Sequence, residues 1–444
     1  MALFALAIVL IAITARADIT GTWDGATGIW ADPTHWDANP AFPNNNPPDL
    51  YDAIIGVGAV TLDQNIAINQ LALGGGSLDG AAALSLAEGI AWTGGTLALA
   101  PAGSLALGAG SASTVSGGPI FVSGRITGGG SASMSVASGA TLTVLNQSSF
   151  FADPASPSWT IENDGTVLAR ATSGAGFTSM DAFFTNTGLV QIEVAGGVSH
   201  TVSLAGGAML GGNVQLGAET TLELGDNTTL HGVTMAGAGT PSVAGSVTVV
   251  GVVETPALSQ AIGELRVSAG ATLRLTGSAP FSVDDGIVSG TGEIDGDLDL
   301  PGGVVSPGVS AGTLTVSGAT SFGTDAALAI DIGGTGSSDF DRLLSGQSAT
   351  LDGTLELRFL NAFSPSNSDT FTILTAPAGI TGTFANAPTD GFRLATTDGL
   401  GSFAVNYTPT SVVLTGFIPE PHATALLAFG VIIIGARFRP QSRC

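Results

Sequence analysis

Lysine is absent from this sequence of 444 residues, and Lys and Arg together number 11 against 35 aspartates and glutamates. The formal net charge at pH 7 is −24. Nucleic acids and anionic lipids are bound through clustered lysine and arginine, so this composition argues against both partners. A phosphate-binding loop of the Walker type is also excluded, because that motif requires a lysine.

Cysteine occurs once, as Cys444, so no disulfide can cross-link the body of the chain. Glycine is abundant, with 65 copies, which is one signature of low-complexity disorder. However, hydrophobic residues make up 44% of the chain and charged residues only 10%, and disorder needs low hydrophobicity. We therefore expect a folded chain that is stabilised by repetitive packing.

A glycine turn followed by a short strand of alternating apolar residues recurs along the chain. The first leucines of five copies are Leu97, Leu142, Leu273, Leu314 and Leu355, and the last steps are 41 residues. Coils of about 20 residues, two to each step, are typical of a stacked β-solenoid. The sequence predicts an all-β fold, a parallel β-helix or solenoid with a β-rich C-terminal cap. A string of β-sandwich domains is the alternative.

Composition divides the chain into five segments. We expect a signal peptide at 1–17, an N-terminal cap at 18–58, solenoid repeats at 59–320, a C-terminal β cap at 321–416 and a terminal sorting segment at 417–444. The N-terminal cap contains three tryptophans, Trp23, Trp30 and Trp36. Clustered aromatics there would close the open end of a solenoid, and a stacked carbohydrate platform is the other interpretation.

The two termini carry targeting patterns. An apolar stretch followed by Ala15-Arg16-Ala17 predicts an N-terminal signal helix that is cleaved before Asp18. The C-terminal tail has a Pro419-Glu420-Pro421 tripeptide and an apolar run of 14 residues, 423–436, followed by Arg437, Arg439 and Arg443. That run is about 21 Å long as a helix, short for a bilayer core of ~30 Å. We expect a short transmembrane helix with cytoplasmic arginines, with a buried core helix as the alternative.

This ordered tail resembles the PEP-CTERM sorting signal of exported bacterial proteins. The resemblance implies that an exosortase-type processing enzyme recognises Pro419, Glu420 and Pro421. It also implies transient insertion in the inner membrane, followed by delivery to the cell surface or extracellular matrix. The body resembles autotransporter passengers in the segments 302–316 and 338–343 and in its tryptophan-rich start.

One acidic run is a candidate metal site. Glu293, Asp295, Asp297 and Asp299 alternate, so on one strand they would share a face. Such a face is either solvated or binds Ca²⁺, for which the candidate ligands are Asp295, Asp297 and Asp299. No other cofactor is predicted.

The sequence has no catalytic motif, so we expect a non-enzymatic exported protein with a structural or adhesin-like role, in contact with exopolysaccharide. A matrix protein without a specific ligand is not distinguished from an adhesin by sequence. The alternative from another class is a polysaccharide lyase or hydrolase on a β-helix. A groove with clustered acids plus Arg266, Arg274 or another arginine would favour that enzyme, and a smooth Ser/Thr-covered face would count against it.

Overall fold

The computed structural model describes residues 19–38, 41–99, 104–107, 112–115, 120–122, 132–145, 150–152, 159–171, 175–180, 183–195 and 197–420. The predicted signal helix and C-terminal span lie outside these residues. Within them, the regular structure is β throughout except for one 3-10 turn at Pro33–His35, and most strands pair in parallel. The prediction of an all-β solenoid is confirmed. In the described part of the chain, no helix has the length and apolar character needed to cross a membrane.

The chain divides into two compact units, Met1–Leu222 with Gly237–Gly239, and Glu223–Ala236 with Thr240–Cys444. The strands of the first unit are β1 (Ile19–Thr22), β2 (Thr27–Ile29), β3 (Tyr51–Ile55), β4 (Ala59–Leu62), β5 (Ile66–Leu73), β6 (Ser77–Gly80), β7 (Ala83–Trp92), β8 (Thr96–Leu99), β9 (Ser104–Leu107), β10 (Ala112–Val115), β11 (Ile120–Val122), β12 (Ala132–Val136), β13 (Thr141–Leu145), β14 (Phe150–Ala152), β15 (Trp159–Asn163), β16 (Thr166–Ala171), β17 (Gly176–Ser179), β18 (Phe183–Asn186), β19 (Leu189–Val194), β20 (His200–Leu204), β21 (Ala208–Leu210) and β22 (Asn213–Leu216). Around the division lie β23 (Thr220–Leu224), β24 (Thr228–His231) and β25 (Thr234–Gly237).

The remaining strands belong to the second unit. They are β26 (Thr240–Val243), β27 (Ser246–Val250), β28 (Val252–Thr255), β29 (Ser259–Gln260), β30 (Glu264–Val267), β31 (Thr272–Leu275), β32 (Phe281–Val283), β33 (Ile287–Gly290), β34 (Glu293–Asp295), β35 (Leu298–Leu300), β36 (Val304–Pro307), β37 (Thr313–Val316), β38 (Thr320–Phe322), β39 (Ala327–Ile332), β40 (Arg342–Ser345), β41 (Ser348–Leu351), β42 (Thr354–Phe359), β43 (Phe371–Thr375), β44 (Gly379–Gly382), β45 (Phe392–Ala395), β46 (Gly401–Tyr407) and β47 (Ser411–Pro419).

Each coil of the second unit contributes one strand to each of three parallel ladders. The first ladder runs β27, β30, β33, β36, β39 and β42, the second β28, β31, β34, β37, β40 and β43, and the third β29, β32, β35, β38, β41 and β44. In the first unit, the ladder from β10 through β13 and β16 to β19 has the same parallel pairing. Every third strand therefore stacks on its counterpart in the next coil.

Alternation of apolar and polar residues decides which side chains face inward. Leu273 pairs with Ile294 in the next coil, and both are fully buried. Leu273 and Leu314 lie in β31 and β37 with β34 between them, so the first 41-residue step spans two coils as predicted. Leu355 lies in β42, on another ladder, so the 41-residue step from Leu314 to Leu355 does not span two whole coils. The reason is that coil length varies, since first-ladder strands from β27 to β42 start 17 to 27 residues apart.

Both ends of the described chain differ from the repeating coil. At the N-terminal end, Trp23, Trp30 and Trp36 are buried, with exposed fractions of 3%, 0% and 2%. At the other end, parallel pairing continues through β44, and β45, β46 and β47 form an antiparallel meander. Phe417 of β47 is buried between Phe359 and Phe403, with ring centroids 5.4 and 5.1 Å away. This cluster closes the hydrophobic core of the second unit.

A polar groove as the candidate functional site

A groove of about 420 Å³ lies on the first ladder of the second unit. Its floor is formed by outward-facing side chains of five successive strands, β30, β33, β36, β39 and β42. In register across the floor, Arg266 lies beside Ser289, Ser289 beside Ser306, and Ala329 beside Glu356. Parallel stacking therefore brings together polar residues that are far apart in the sequence.

Two segments outside the ladder form the sides of this groove. Val309, in the turn after β36, is 68% exposed and borders one side. Thr397, in the turn between β45 and β46, borders the groove as well. Its backbone N–H and its hydroxyl donate to the Leu357 carbonyl at 2.8 and 3.0 Å. The antiparallel meander is thus fastened to β42 at the edge of the groove.

An ion pair occupies one end of the groove. Arg358 donates from Nε and Nη2 to the two carboxylate oxygens of Asp331, at 2.8 and 2.6 Å. Asp331 and Arg358 are direct partners in the β39–β42 register. The Asp331 side chain is 13% exposed and that of Arg358 60% exposed, so the guanidinium is bound on one side and open to solvent on the other. Hydrogen bonding to Asp331 raises the pKa of Arg358, which is charged at every relevant pH.

A second charged group lies at the other end. Glu264 accepts a hydrogen bond from the Ser289 hydroxyl at 2.6 Å and a longer one from Arg266 at 3.3 Å. Between the two ends, Glu356 and Ser306 face the groove without a side-chain hydrogen-bond partner among the described residues. The groove therefore combines fixed donors and acceptors with unoccupied ones.

A buried aspartate, Asp341, connects two of the segments that border the groove. Asp341 is 0% exposed, and its two carboxylate oxygens accept the N–H groups of Gly312 and Asp331, both at 2.9 Å. Burial raises the pKa of Asp341 to about 8, with the nearby Asp331 charge acting in the same direction. The hydrogen bonds tie the turn that carries Val309 to the strand that carries the Asp331–Arg358 pair. Asp341 thus positions one side of the groove relative to its floor.

The acidic run at 293–299 does not lie on one strand. Glu293 and Asp295 belong to β34, whereas Asp299 belongs to β35 on a different ladder, with Asp297 in the turn between them. Asp295 bonds to Arg274 at 3.0 Å and accepts from Ser317 at 2.8 Å. The Arg274 hydrogen bond, more than that of Ser317, lowers the pKa of Asp295.

Those acids therefore do not converge on one point. Asp297 accepts the backbone N–H of Ala319 at 2.8 Å. In the described part of the chain, no group of three or more His, Cys, Asp or Glu side chains could hold a metal ion. Arg274 lies on the second ladder, between Glu254 and Asp295, and is not part of the groove.

The tryptophans of the N-terminal cap serve the hydrophobic core. Trp30 Nε1 donates to the Pro43 carbonyl at 2.7 Å, and Trp36 Nε1 donates to the Trp30 carbonyl at 2.8 Å. Their buried rings offer no stacking platform for a sugar, which counts against the carbohydrate interpretation, and closure of a solenoid end by these rings stays a prediction. Next to them, His35 Nδ1 lies 2.9 Å from Asp24 Oδ2, and this hydrogen bond raises the pKa of His35.

The predicted sorting tripeptide is only partly described. β47 ends at Pro419, which pairs with Gly401 of β46, and Glu420 is exposed with its N–H bonded to the Leu400 carbonyl at 3.1 Å. Pro421, the flanking arginines Arg437, Arg439 and Arg443, and the cleavage-site residues Ala15 and Ala17 lie outside the described residues. The motif therefore begins directly at the end of the last strand.

Sequence reasoning named Arg266 as a groove candidate but missed Asp331, Glu356 and Arg358. A signal was present, because Asp331 and Glu356 stand between apolar residues at 327–332 and 354–360, and this alternation predicts a strand at each range. What the sequence does not show is that β39 and β42 pair with Asp331 opposite Arg358 and Glu356 opposite Ala329. A scan of protein-family models finds no family that matches the chain, and a search of curated proteins finds no similar protein.

Proposed function

We propose that this chain is an exported protein of the cell envelope or extracellular matrix, with a structural or adhesin-like role and a C-terminal sorting signal of the PEP type. An exosortase-type enzyme would process it during transient insertion in the inner membrane. The mature protein would then contact exopolysaccharide at the cell surface. In this proposal the chain is not an enzyme.

The observation that carries the proposal is the position of Pro419 and Glu420 relative to the fold. Phe417 is a core residue, Pro419 is the last residue of β47, and Glu420 is exposed immediately after it. A processing enzyme could therefore reach the exposed side chains of Pro419 and Glu420 while Phe417 stays in the core of the second unit. The parallel ladders pair without an intrachain disulfide, since the chain has one cysteine, and stacked coils of this kind suit a structural protein.

Mass spectrometry of both termini tests this proposal in a bacterium that has an exosortase-type system. We expect a mature chain that begins at Asp18 and lacks residues 423–444. Glu420→Ala and Pro421→Ala should leave the tail in place, whereas Asp325→Ala, an exposed carboxylate far from the motif in sequence, should not. A wild-type mature protein that retains residues 423–444 would refute the sorting signal.

A polysaccharide-active enzyme is a second candidate, and the groove is the specific observation that favours it. The groove combines Glu264, Asp331 and Glu356 with Arg266 and Arg358, and acids clustered with arginines in a groove favour a polysaccharide lyase or hydrolase. The ion pairs of Asp331 and Glu264 leave Glu356 as the carboxylate that is best placed for acid–base chemistry. Release of reducing ends or unsaturated products from neutral or uronate polysaccharides, lost in Glu356→Gln, would establish an enzyme and overturn the non-enzymatic proposal.

A further inference from the structure

The groove on the first ladder has the shape of an elongated ligand site. It crosses five parallel strands, which at a spacing of about 4.8 Å corresponds to a floor roughly 19 Å long. Its volume of about 420 Å³ lies within the range of small-molecule sites. Val309 and the Thr397 turn border it, so a bound chain would contact side walls as well as the floor.

The polar lining offers both donors and acceptors. Arg358 has open N–H groups on its solvent side, because only Nε and Nη2 are used by Asp331. Glu356 is an exposed acceptor, and the Ser306 hydroxyl can donate or accept. A ligand that fits this mixture must itself carry many groups that both donate and accept, as hydroxyl groups do.

Apolar surface lies among these polar groups. Ile287 is 41% exposed on the floor, and Val309 is 68% exposed at the side. Aliphatic surface of this kind packs against C–H groups while neighbouring polar atoms fix orientation. A sugar ring presents both surfaces, with hydroxyl groups at its edge and C–H groups on its faces.

Charge narrows the class of ligand further. The groove holds three carboxylates, Glu264, Asp331 and Glu356, against two guanidinium groups, in a chain with a net charge of −24. A polyanionic glycan would meet a net negative surface. A cationic glycan would meet two exposed guanidinium groups and only one carboxylate, Glu356, that is not already paired with an arginine. An uncharged chain faces neither penalty.

From these observations we infer that the groove is a binding site for an uncharged oligosaccharide, lying across the strands of the first ladder. The inference deepens the matrix role proposed above. It rests on that role only for the place where the protein would meet such a glycan, which is the extracellular matrix. Binding itself is a property of the folded second unit, so it can be measured on the purified chain whether or not the tail is processed.

Titration calorimetry with a panel of soluble oligosaccharides tests the inference. The probes are neutral gluco-oligosaccharides of four to six units in two linkages, an oligogalacturonate and a chitosan oligosaccharide. A neutral probe should bind, with little effect of salt, and the two charged probes should bind at least tenfold more weakly. Preferential binding of either charged probe, or no binding of any neutral probe to folded protein, would overturn the inference.

Matched variants locate the site. Ser306→Trp would fill the groove from its floor, whereas Ser321→Trp places the same side chain on β38 of the same coil, on another ladder. Both serines face outward and are partly exposed, so neither change should prevent folding. Ser306→Trp should lower the affinity for the neutral probe at least tenfold, and Ser321→Trp should change it less than twofold. Equal effects of both variants would refute the groove as the site.

Glu356→Gln separates hydrogen bonding from steric access. The carboxylate has no side-chain partner among the described residues, so the change should not disturb the fold. If Glu356 accepts hydrogen bonds from ligand hydroxyls, the neutral probe should bind about tenfold more weakly, since a hydrogen bond to a charged group contributes more than one to a neutral group. Unchanged affinity would contradict the placement of the ligand against β42. Absence of oligosaccharide binding would refute only the binding site in the groove. Mass spectrometry of the termini tests the sorting signal separately.

Discussion

Asp341 should make the second unit less stable as the pH rises from 5 to 8. The side chain is fully buried, and burial raises its pKa to about 8 from an ordinary value of 3.8. Between these values the folded chain keeps the proton that the unfolded chain has lost. The folded state therefore binds more protons than the unfolded state, and the free energy of unfolding must fall with increasing pH over this window.

The magnitude follows from the width of that window. Each pH unit in which the two states differ by one proton changes the free energy of unfolding by about 1.36 kcal/mol. From pH 5 to pH 8 the expected loss is roughly 4 kcal/mol. Above pH 8 both states are ionised and the slope should vanish. Asp295, whose pKa is lowered by Arg274, would contribute only in more acidic solution.

The two units can be observed separately in one experiment. All five tryptophans lie before residue 223, so tryptophan fluorescence reports on the first unit. Pulsed hydrogen exchange on peptides from β39 and β40, read by mass spectrometry, reports on the second. Denaturant titrations at pH 5 to 9 should move the midpoint of the β39–β40 peptides downward as the pH rises.

The variant Asp341→Asn supplies the critical comparison. The NH2 group of the new amide would face a backbone N–H from which Asp341 now accepts a hydrogen bond. The loss of that bond should lower the free energy of unfolding by about 1–3 kcal/mol at pH 5. In this variant the free energy of unfolding should no longer fall with pH between 5 and 8. Its difference in stability from wild type should therefore shrink towards pH 8. Asp325→Asn, at an exposed turn position, should retain the wild-type slope. A wild-type midpoint that stays constant from pH 5 to 8, or an unchanged slope in Asp341→Asn, would refute the reasoning.

Three further predictions concern single side chains. Because the hydrogen bond to Asp24 raises the pKa of His35, this bond should stabilise the first unit fully below pH 6.5 and less as the pH rises through the pKa of His35 in the folded chain. Denaturant titrations followed by tryptophan fluorescence should show this loss of stability in wild type but not in His35→Gln. The same dependence of stability on pH in both proteins would contradict the prediction. Arg358→Met should destabilise the second unit by about 1–3 kcal/mol, because Asp331 loses its counter-ion. Adding Asp331→Asn to this variant should recover part of the lost stability, and hydrogen exchange at β42 measures the stability of both variants. Asn186→Ala should lower the stability of the first unit by about 1–3 kcal/mol in denaturant titrations, since the buried Asn186 amide donates to the Gly211 carbonyl at 2.6 Å, and a change below 0.5 kcal/mol would show that this bond contributes little.

Much of the fold could be predicted because inward positions obey a simple rule. Alternation predicted a strand at Ala327–Ile332, and the structure has that strand with the same bounds. A strand predicted at 354–360 is observed at Thr354–Phe359. Any apolar side chain of suitable size can fill an inward position, so the period-2 pattern alone is sufficient to identify it.

Turns were harder to predict than strands. The alternating acids at 293–299 have the pattern of one strand, but the chain changes ladder between Asp295 and Asp299. Gly296 has a φ of +151° at this corner, a conformation that other residues rarely adopt. Glycine is so abundant in this chain that one more glycine did not identify the corner.

The groove could not be predicted because it depends on register rather than on pattern. Asp331 and Arg358 are 27 positions apart and pair directly, whereas Arg266 and Ser289 pair at a separation of 23. A one-residue difference in any intervening turn would place different side chains opposite each other and turn them to the other face. Inward positions tolerate such uncertainty because their neighbours are interchangeable aliphatic groups. An outward site does not, because its chemistry depends on which acid lies beside which arginine.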